Sequence, residues 1–239
     1  MRVVVQNQKG GVGKTTTVRN LASALLAQGL AKSVVLADLD PQAHLSTMVP
    51  IQGTGNTAAD WLVGQPVQPA AVEDEIGLSL LPSAEEMPLP VSDLAVPHGD
   101  WMIVDTAPGW SDLTVAMCRW ADLVLCPLEP DFLGLSGVAR LHERFTQHKI
   151  AHDKLRFLLC RFSGRLNLHR DVHSRLSARF GAPQLLDVTI SNSIRISESA
   201  GFGRSVLDHA PDSPCAAEYS ALARALAQSP PDNRERSVA

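Results

Sequence analysis

The chain has 239 residues, 45% of them apolar and 19% charged, enough for one α/β domain with a full hydrophobic core. No apolar run approaches the roughly 20 residues a bilayer-spanning helix needs, which argues against a membrane span. The net charge of −4 argues by itself against nucleic acid, but the charge is unevenly spread.

In chain order, apolar runs at 2–6, 33–38, 77–82, 101–105, 122–127, 155–160 and 185–190 read as strands. They are nearly continuous, as strands buried on both faces of a parallel sheet should be. Between them, 14–28, 111–120, 132–148, 168–180 and 214–227 carry helical spacing. The alternation predicts an α/β fold: a doubly wound, mostly parallel sheet flanked by helices, forming one domain over 1–227. Residues 83–99, with Pro88, Pro90 and Pro97, read as an irregular crossover. The polar tail 228–239 reads as disordered. The glycine-rich loop begins within nine residues of the start, leaving too short an apolar run for a signal peptide. The four cysteines, Cys118, Cys126, Cys160 and Cys215, form no CxxC pair and read as reduced thiols of a cytoplasmic protein.

The stretch "QNQKGGVGKTTT" (6–17) joins the first strand to the first helix. A phosphate loop needs that context, because backbone N–H groups at a glycine-rich turn and a helix start converge on phosphate oxygens. Gly10, Gly11, Val12, Gly13, Lys14, Thr15 and Thr16 are read as the cradle. Lys14 is expected at the β and γ phosphates and Thr15 on Mg²⁺. The usual first glycine is replaced by Gln8, and beside it stands a second cation, Lys9.

Two further strand ends carry carboxylates. "VVLADLDPQ" ends in Asp38 and Asp40, read as pointing to opposite faces and so taking different tasks. "WMIVDTAPG" ends in Asp105, suited to hold Mg²⁺ through water, and Thr106 to Gly109 form a loop that can sense the γ phosphate.

"KGGVGKTT", "DLDPQ" and "DTAPG", in this order and spacing, resemble the ParA/MinD family of deviant-Walker ATPases, P-loop NTPases of the SIMIBI type. "ADLVLCPLEPDFLGLSGVARL" and "SIRISESAGFGRSVLDHAPDSPCAAEYSALARAL" continue the resemblance over about 1–227. The family implies a two-fold ATP sandwich in which Lys9 crosses to the partner subunit's ATP. It implies that Asp40 positions the attacking water, that Asp38 supports Mg²⁺, and that turnover is slow until a partner protein stimulates it. Pro127, Glu129 and Pro130 fall in the segment near the nucleotide in relatives. Relatives often have Asn where this chain has Cys160. No guanine-reading Asn/Thr-Lys-x-Asp motif is present, which favours ATP.

Residues 1–139 carry a net −9, 140–204 a net +7, and 205–239 a net −2. The basic stretch is all arginine apart from Lys149 and Lys154. Arg161, Arg165, Arg170, Arg175, Arg179, Arg195 and Arg204 are the candidate contacts to non-specific DNA, arginine being able to grip phosphate with two hydrogen bonds. The resemblance puts Arg195 at a position relatives use for DNA. The reading is therefore a nucleoid-associated ATPase that dimerises with ATP and positions or segregates a cargo through a ParB-like or other adaptor. No DNA-reading segment precedes the loop in this sequence, which sets an autorepressor role aside. A MinD-like membrane ATPase would need a basic amphipathic carboxy-terminal helix, and "SPPDNRERSVA" has no apolar face. An iron-protein-like reductase would need two suitably placed cysteines. An ATP-dependent amidoligase of the cobyrinate type is the remaining alternative.

Overall fold

A computed structural model describes residues 1–53 and 55–228. The expected disordered tail, Gln228 aside, lies outside these residues. The strands are β1 (Arg2–Val5), β2 (Val34–Leu39), β3 (Ala70–Ala71), β4 (Leu78–Leu81), β5 (Trp101–Thr106), β6 (Leu123–Leu128), β7 (Leu155–Phe162) and β8 (Leu185–Ser191). They form one sheet in the order β3-β4-β2-β5-β1-β6-β7-β8. Every neighbouring pair is parallel except β3 with β4.

The helices are α1 (Lys14–Ala27), α2 (His44–Met48), α3 (Ala58–Leu62), α4 (Asp112–Trp120), α5 (Phe132–Gln147), α6 (Asn167–Phe180), α7 (Ile194–Gly201), α8 (Val206–His209) and α9 (Pro214–Ala227). They cover both faces of the sheet. Alternation along β1 shows why both faces are apolar: Val3 and Val5 join one core cluster and Val4 the other, all fully buried. The first cluster takes Leu21 and Leu25 of α1 and Tyr219, Leu222 and Leu226 of α9. The second takes Met117 of α4, Leu141 and Phe145 of α5, and Val172 and Leu176 of α6.

All seven expected strands and five expected helices are present, with ends shifted by a residue or two. Residues 83–99 contain no helix or strand among those described, as expected. This crossover is fastened by two indoles: Trp61 Nε1 donates to the Ala95 carbonyl at 2.7 Å and Trp120 Nε1 to that of Leu94 at 3.2 Å. The sequence reading omits β3, α2, α3, α7 and α8. Each is eight residues or shorter, too short for periodicity to register. The capping box of α3, Thr57 with Asp60, is the local signal that marks one of them.

Candidate nucleotide site

Strands β2, β5, β1 and β6 are consecutive in the sheet and parallel, so their carboxyl ends share one edge. That edge gathers the glycine loop, Asp38 and Asp40, the 105–109 loop, and the 127–131 segment. In open α/β sheets this is where ligands bind.

Gly11 and Gly13 lie in the left-handed region, at φ 76° and 94°. Gly13 is the N-cap of α1, which has no side-chain cap and no acidic residue in its first turn. Its first N–H groups are thus free of a side-chain acceptor and, with the helix dipole, favour an anion. Lys14 is buried at this helix start. Burial lowers its pKa, and the carboxylates of Asp105 and Asp40 partly restore it. The Lys14 Nζ donates to the Lys9 carbonyl at 3.3 Å.

Asp105 pairs in register with Asp38 on β2 and with Val5 on β1. It is fully enclosed, and burial pushes its carboxyl up to about 7, with the neighbouring Asp38 adding to the effect. The Thr15 hydroxyl donates to Asp105 Oδ2 at 2.6 Å. Asp105 Oδ1 is buried with no hydrogen-bond partner among the described residues. An orphaned acceptor beside a hydroxyl and further carboxylates is the donor set of a hard cation. The described residues offer no three-ligand His/Cys/Asp/Glu cluster. The Thr15 hydroxyl and the orphaned Asp105 oxygen would suit Mg²⁺, which takes one or two carboxylates and completes its shell with water and substrate phosphates.

Asp38 Oδ2 accepts from the Ser46 N–H at 2.8 Å and from the Ser46 hydroxyl at 2.7 Å, and its Oδ1 accepts from the Asp40 N–H at 3.0 Å. Burial raises its pKa against these bonds. Asp40 Oδ1 accepts from the Gln42 N–H at 3.0 Å. The expected opposite orientation of Asp38 and Asp40 is corrected here. Residues two apart on a strand share a face, and both carboxylates act on Asp105. Their difference comes instead from β2 ending at Leu39, which leaves Asp40 in the following turn.

Three residues outside the sequence reading organise this edge. Buried Gln6 donates through Nε2 to the Gly109 carbonyl at 2.6 Å and meets the Thr106 hydroxyl through Oε1. The Gly109 N–H returns a bond to the Gln8 carbonyl at 3.1 Å. Asn7 Nδ2 donates to the Pro127 carbonyl at 2.7 Å, and its Oδ1 accepts from the Lys9 N–H at 3.0 Å. Ser46 anchors Asp38. A polar Gln ending an otherwise apolar buried strand was the available signal for Gln6.

Lys9 turns away from the carboxylate group. Its Nζ lies 2.6 Å from Glu129 Oε2 and 3.4 Å from Asp131 Oδ2. Glu129 Oε1 is paired with Arg161. Arg161, one of the candidate DNA contacts, thus stands beside the loop at the nucleotide edge. Of the other six arginines, Arg170, Arg175 and Arg179 lie on α6 and Arg165 just ahead of it. Arg165 and Arg175 are exposed with no carboxylate partner among the described residues. Arg170 donates to the Gly164 carbonyl, and Arg179 lies over the Phe180 ring. Arg195 pairs with Glu198 at 3.0 Å and Arg204 with Asp208 at 3.4 Å, all exposed. Cys160 underlies the loop, its Sγ 4.0 Å from where a Cβ on Gly13 would stand. Among the described residues no helix is long and apolar enough to cross a membrane.

A mostly parallel sheet with a glycine loop, a buried lysine and carboxylates at one edge defines a P-loop nucleotide-binding protein. Residues 3–206 match the model of the CobQ/CobB/MinD/ParA nucleotide-binding domain, and the chain belongs to that family as a ParA/MinD-type P-loop ATPase. It is 32% identical over 237 residues to the chromosome-partitioning ATPase Soj of Thermus thermophilus, covering 93% of each chain. It is 32% identical over 254 residues to the chromosome partitioning protein ParA of Caulobacter vibrioides, covering 93% of this chain and 92% of that one. The fold is similar to MinD of Pyrococcus horikoshii complexed with Mg-ADP (TM-score 0.72, 20% identity, 94% and 95% covered). It is equally similar to apo McdA of Cyanothece (TM-score 0.72, 20% identity, 93% and 98% covered).

Proposed function

We propose that this protein is an ATP-dependent dimerising ATPase that binds non-specific DNA and positions or segregates a cargo. One observation carries the reading: the loop has two lysines, and only Lys14 faces the carboxylate site. Lys9 points away from that site, its side chain 40% exposed, and in this reading it serves a second subunit. The names of the relatives support a partitioning role.

In this reading the cradle 10–16 wraps the phosphates, with Gly109, Pro127 and Glu129 bordering the nucleotide. Thr15, Asp38 and Asp105 hold Mg²⁺, which neutralises charge developing on the phosphates. Asp40 positions the attacking water. Lys14 neutralises the β and γ phosphates in its own subunit, and Lys9 does so across the dimer. ATPase activity is weak and is raised by a ParB-like or other cargo adaptor. The protein resides on the nucleoid.

DNA binding rests on Arg165, Arg170, Arg175 and Arg179, with Arg195 and Arg204 as further contacts. The exposed pairs of the last two with Glu198 and Asp208 are weak enough to yield to phosphate. Two-fold pairing places two such patches on one molecule, which raises avidity by roughly 10²–10⁴. Fluorescence anisotropy on two unrelated duplexes, with ATP, ADP and no nucleotide, tests this. The expected result is salt-sensitive binding of both duplexes with ATP only. Equal affinity in all three states, or strong preference for one duplex, would overturn the DNA reading.

A further inference from the structure

In this structure the loop's outward lysine is already engaged by its own chain. We propose that Glu129 is a positioning residue that latches Lys9 in cis, and that forming the ATP dimer requires this latch to open. The proposal rests on the reading above that Lys9 serves the partner subunit's ATP.

The contact is built from several sides. Glu129 is the more enclosed partner, its side chain 19% exposed against 40% for Lys9. Both of its oxygens are engaged, one by Lys9 and one by Arg161. Arg161 sits in the left-handed region at φ 55°, where the β7–β8 register shifts between Cys160 and Phe162. That conformation is uncommon for a residue with a side chain. The backbone carrying Glu129 is fixed as well. Its carbonyl accepts from the Asp131 N–H at 2.9 Å, and a Cβ on Gly134 would stand 2.2 Å from that carbonyl oxygen. Asp131 is held in turn as the cap of α5, accepting from the Gly134 N–H at 2.6 Å. On the other side, Asn7 ties the start of the glycine loop to Pro127 and to the Lys9 N–H. Loop and carboxylate segment are thus joined twice, by Asn7 and by Lys9.

The charges close within this group: Lys9 and Arg161 against Glu129 and Asp131. Moving Lys9 to a partner's phosphates leaves Glu129 with Arg161 alone and takes from Asp131 its lysine. Every dimer must make that exchange twice. Nothing offsets it except a bound nucleotide carrying enough negative charge, so the latch makes dimerisation depend more steeply on ATP. The electrostatics agree in direction: the Glu129 hydrogen bond holds the Lys9 ammonium above its ordinary range, and Lys9, then Arg161, holds Glu129 below its own.

The test uses the full chain. Carbodiimide forms a zero-length amide between a lysine and a carboxylate in contact, and mass spectrometry of the digest reads it. Without nucleotide, the intrachain Lys9–Glu129 link is expected; with ATP and Mg²⁺ it is expected to fall in step with dimer formation. In parallel, light scattering over a concentration series compares Glu129→Gln with wild type in ATP. Two latches open per dimer and each is worth a factor of a few, so the variant should dimerise about tenfold more tightly. A link that persists unchanged in the ATP dimer overturns the latch. So does a Glu129→Gln protein that binds ATP but dimerises no better than wild type. Failure of the underlying reading looks different: Lys9→Ala would then dimerise as wild type does.

Discussion

The Thr15 hydroxyl donates to Asp105 Oδ2 at 2.6 Å, tying the phosphate loop to β5, while the other Asp105 oxygen is buried with no partner among the described residues. In the proposed reading this arrangement serves a cation rather than the stability of the empty protein.

Asp105→Asn should therefore stabilise the nucleotide-free protein while removing its response to Mg²⁺ and ATP. The Asp105 carboxyl is raised from 3.8 to about 7. A raised carboxyl pKa means that the folded state binds the proton better than the unfolded state does. The fold is thus penalised as pH rises from about 4 to 7, by up to about 4 kcal/mol at neutral pH. Differential scanning calorimetry in EDTA should show Asp105→Asn melting several degrees above wild type at pH 7.5, roughly 2–4 °C per kcal/mol. The gain should shrink as pH falls through this window. A variant that melts below wild type at pH 7.5, or still gains from Mg²⁺ and ATP, would contradict the assignment.

A second pH dependence has the opposite sign. His142 on α5 is stacked between His152, at 4.6 Å, and Phe180, at 4.8 Å. Burial, then the neighbouring His152 and Arg179, lowers its pKa. The stability it contributes as a neutral ring is present above its ordinary value of 6.5 and lost as pH falls through the lower folded value. His142→Phe keeps the stack and removes the titration. Thermal melts from pH 7.5 to 5 should show wild type losing stability relative to this variant below about pH 6.5. Parallel pH profiles for the two proteins would contradict it.

Much of this was legible in the sequence, and the residues show why. Strands β1, β5 and β6 are buried on both faces, so they had to be near-continuous apolar runs. Lys14, Thr15 and Asp105 sit beside the breaks in such runs, where the chain leaves the sheet. The sheet order was not legible, since nothing local tells β1 to insert between β5 and β6. Nor was the contact of Lys9 with Glu129, which spans 120 residues of sequence and exists only because β1 and β6 are neighbours. The expectation for Asp38 and Asp40 failed because residues two apart on a strand share a face, and Asp40 in any case lies past the end of β2.

The central claim is that two lysines of one loop serve two subunits. Multi-angle light scattering with ATP and Mg²⁺, alongside nucleotide binding, tests it on four proteins. Wild type should dimerise, Asp40→Ala should dimerise and stall without hydrolysis, and Lys14→Ala should lose ATP binding. Lys9→Ala should bind ATP and remain a monomer. A Lys9→Ala protein that dimerises with ATP as well as wild type would contradict the account.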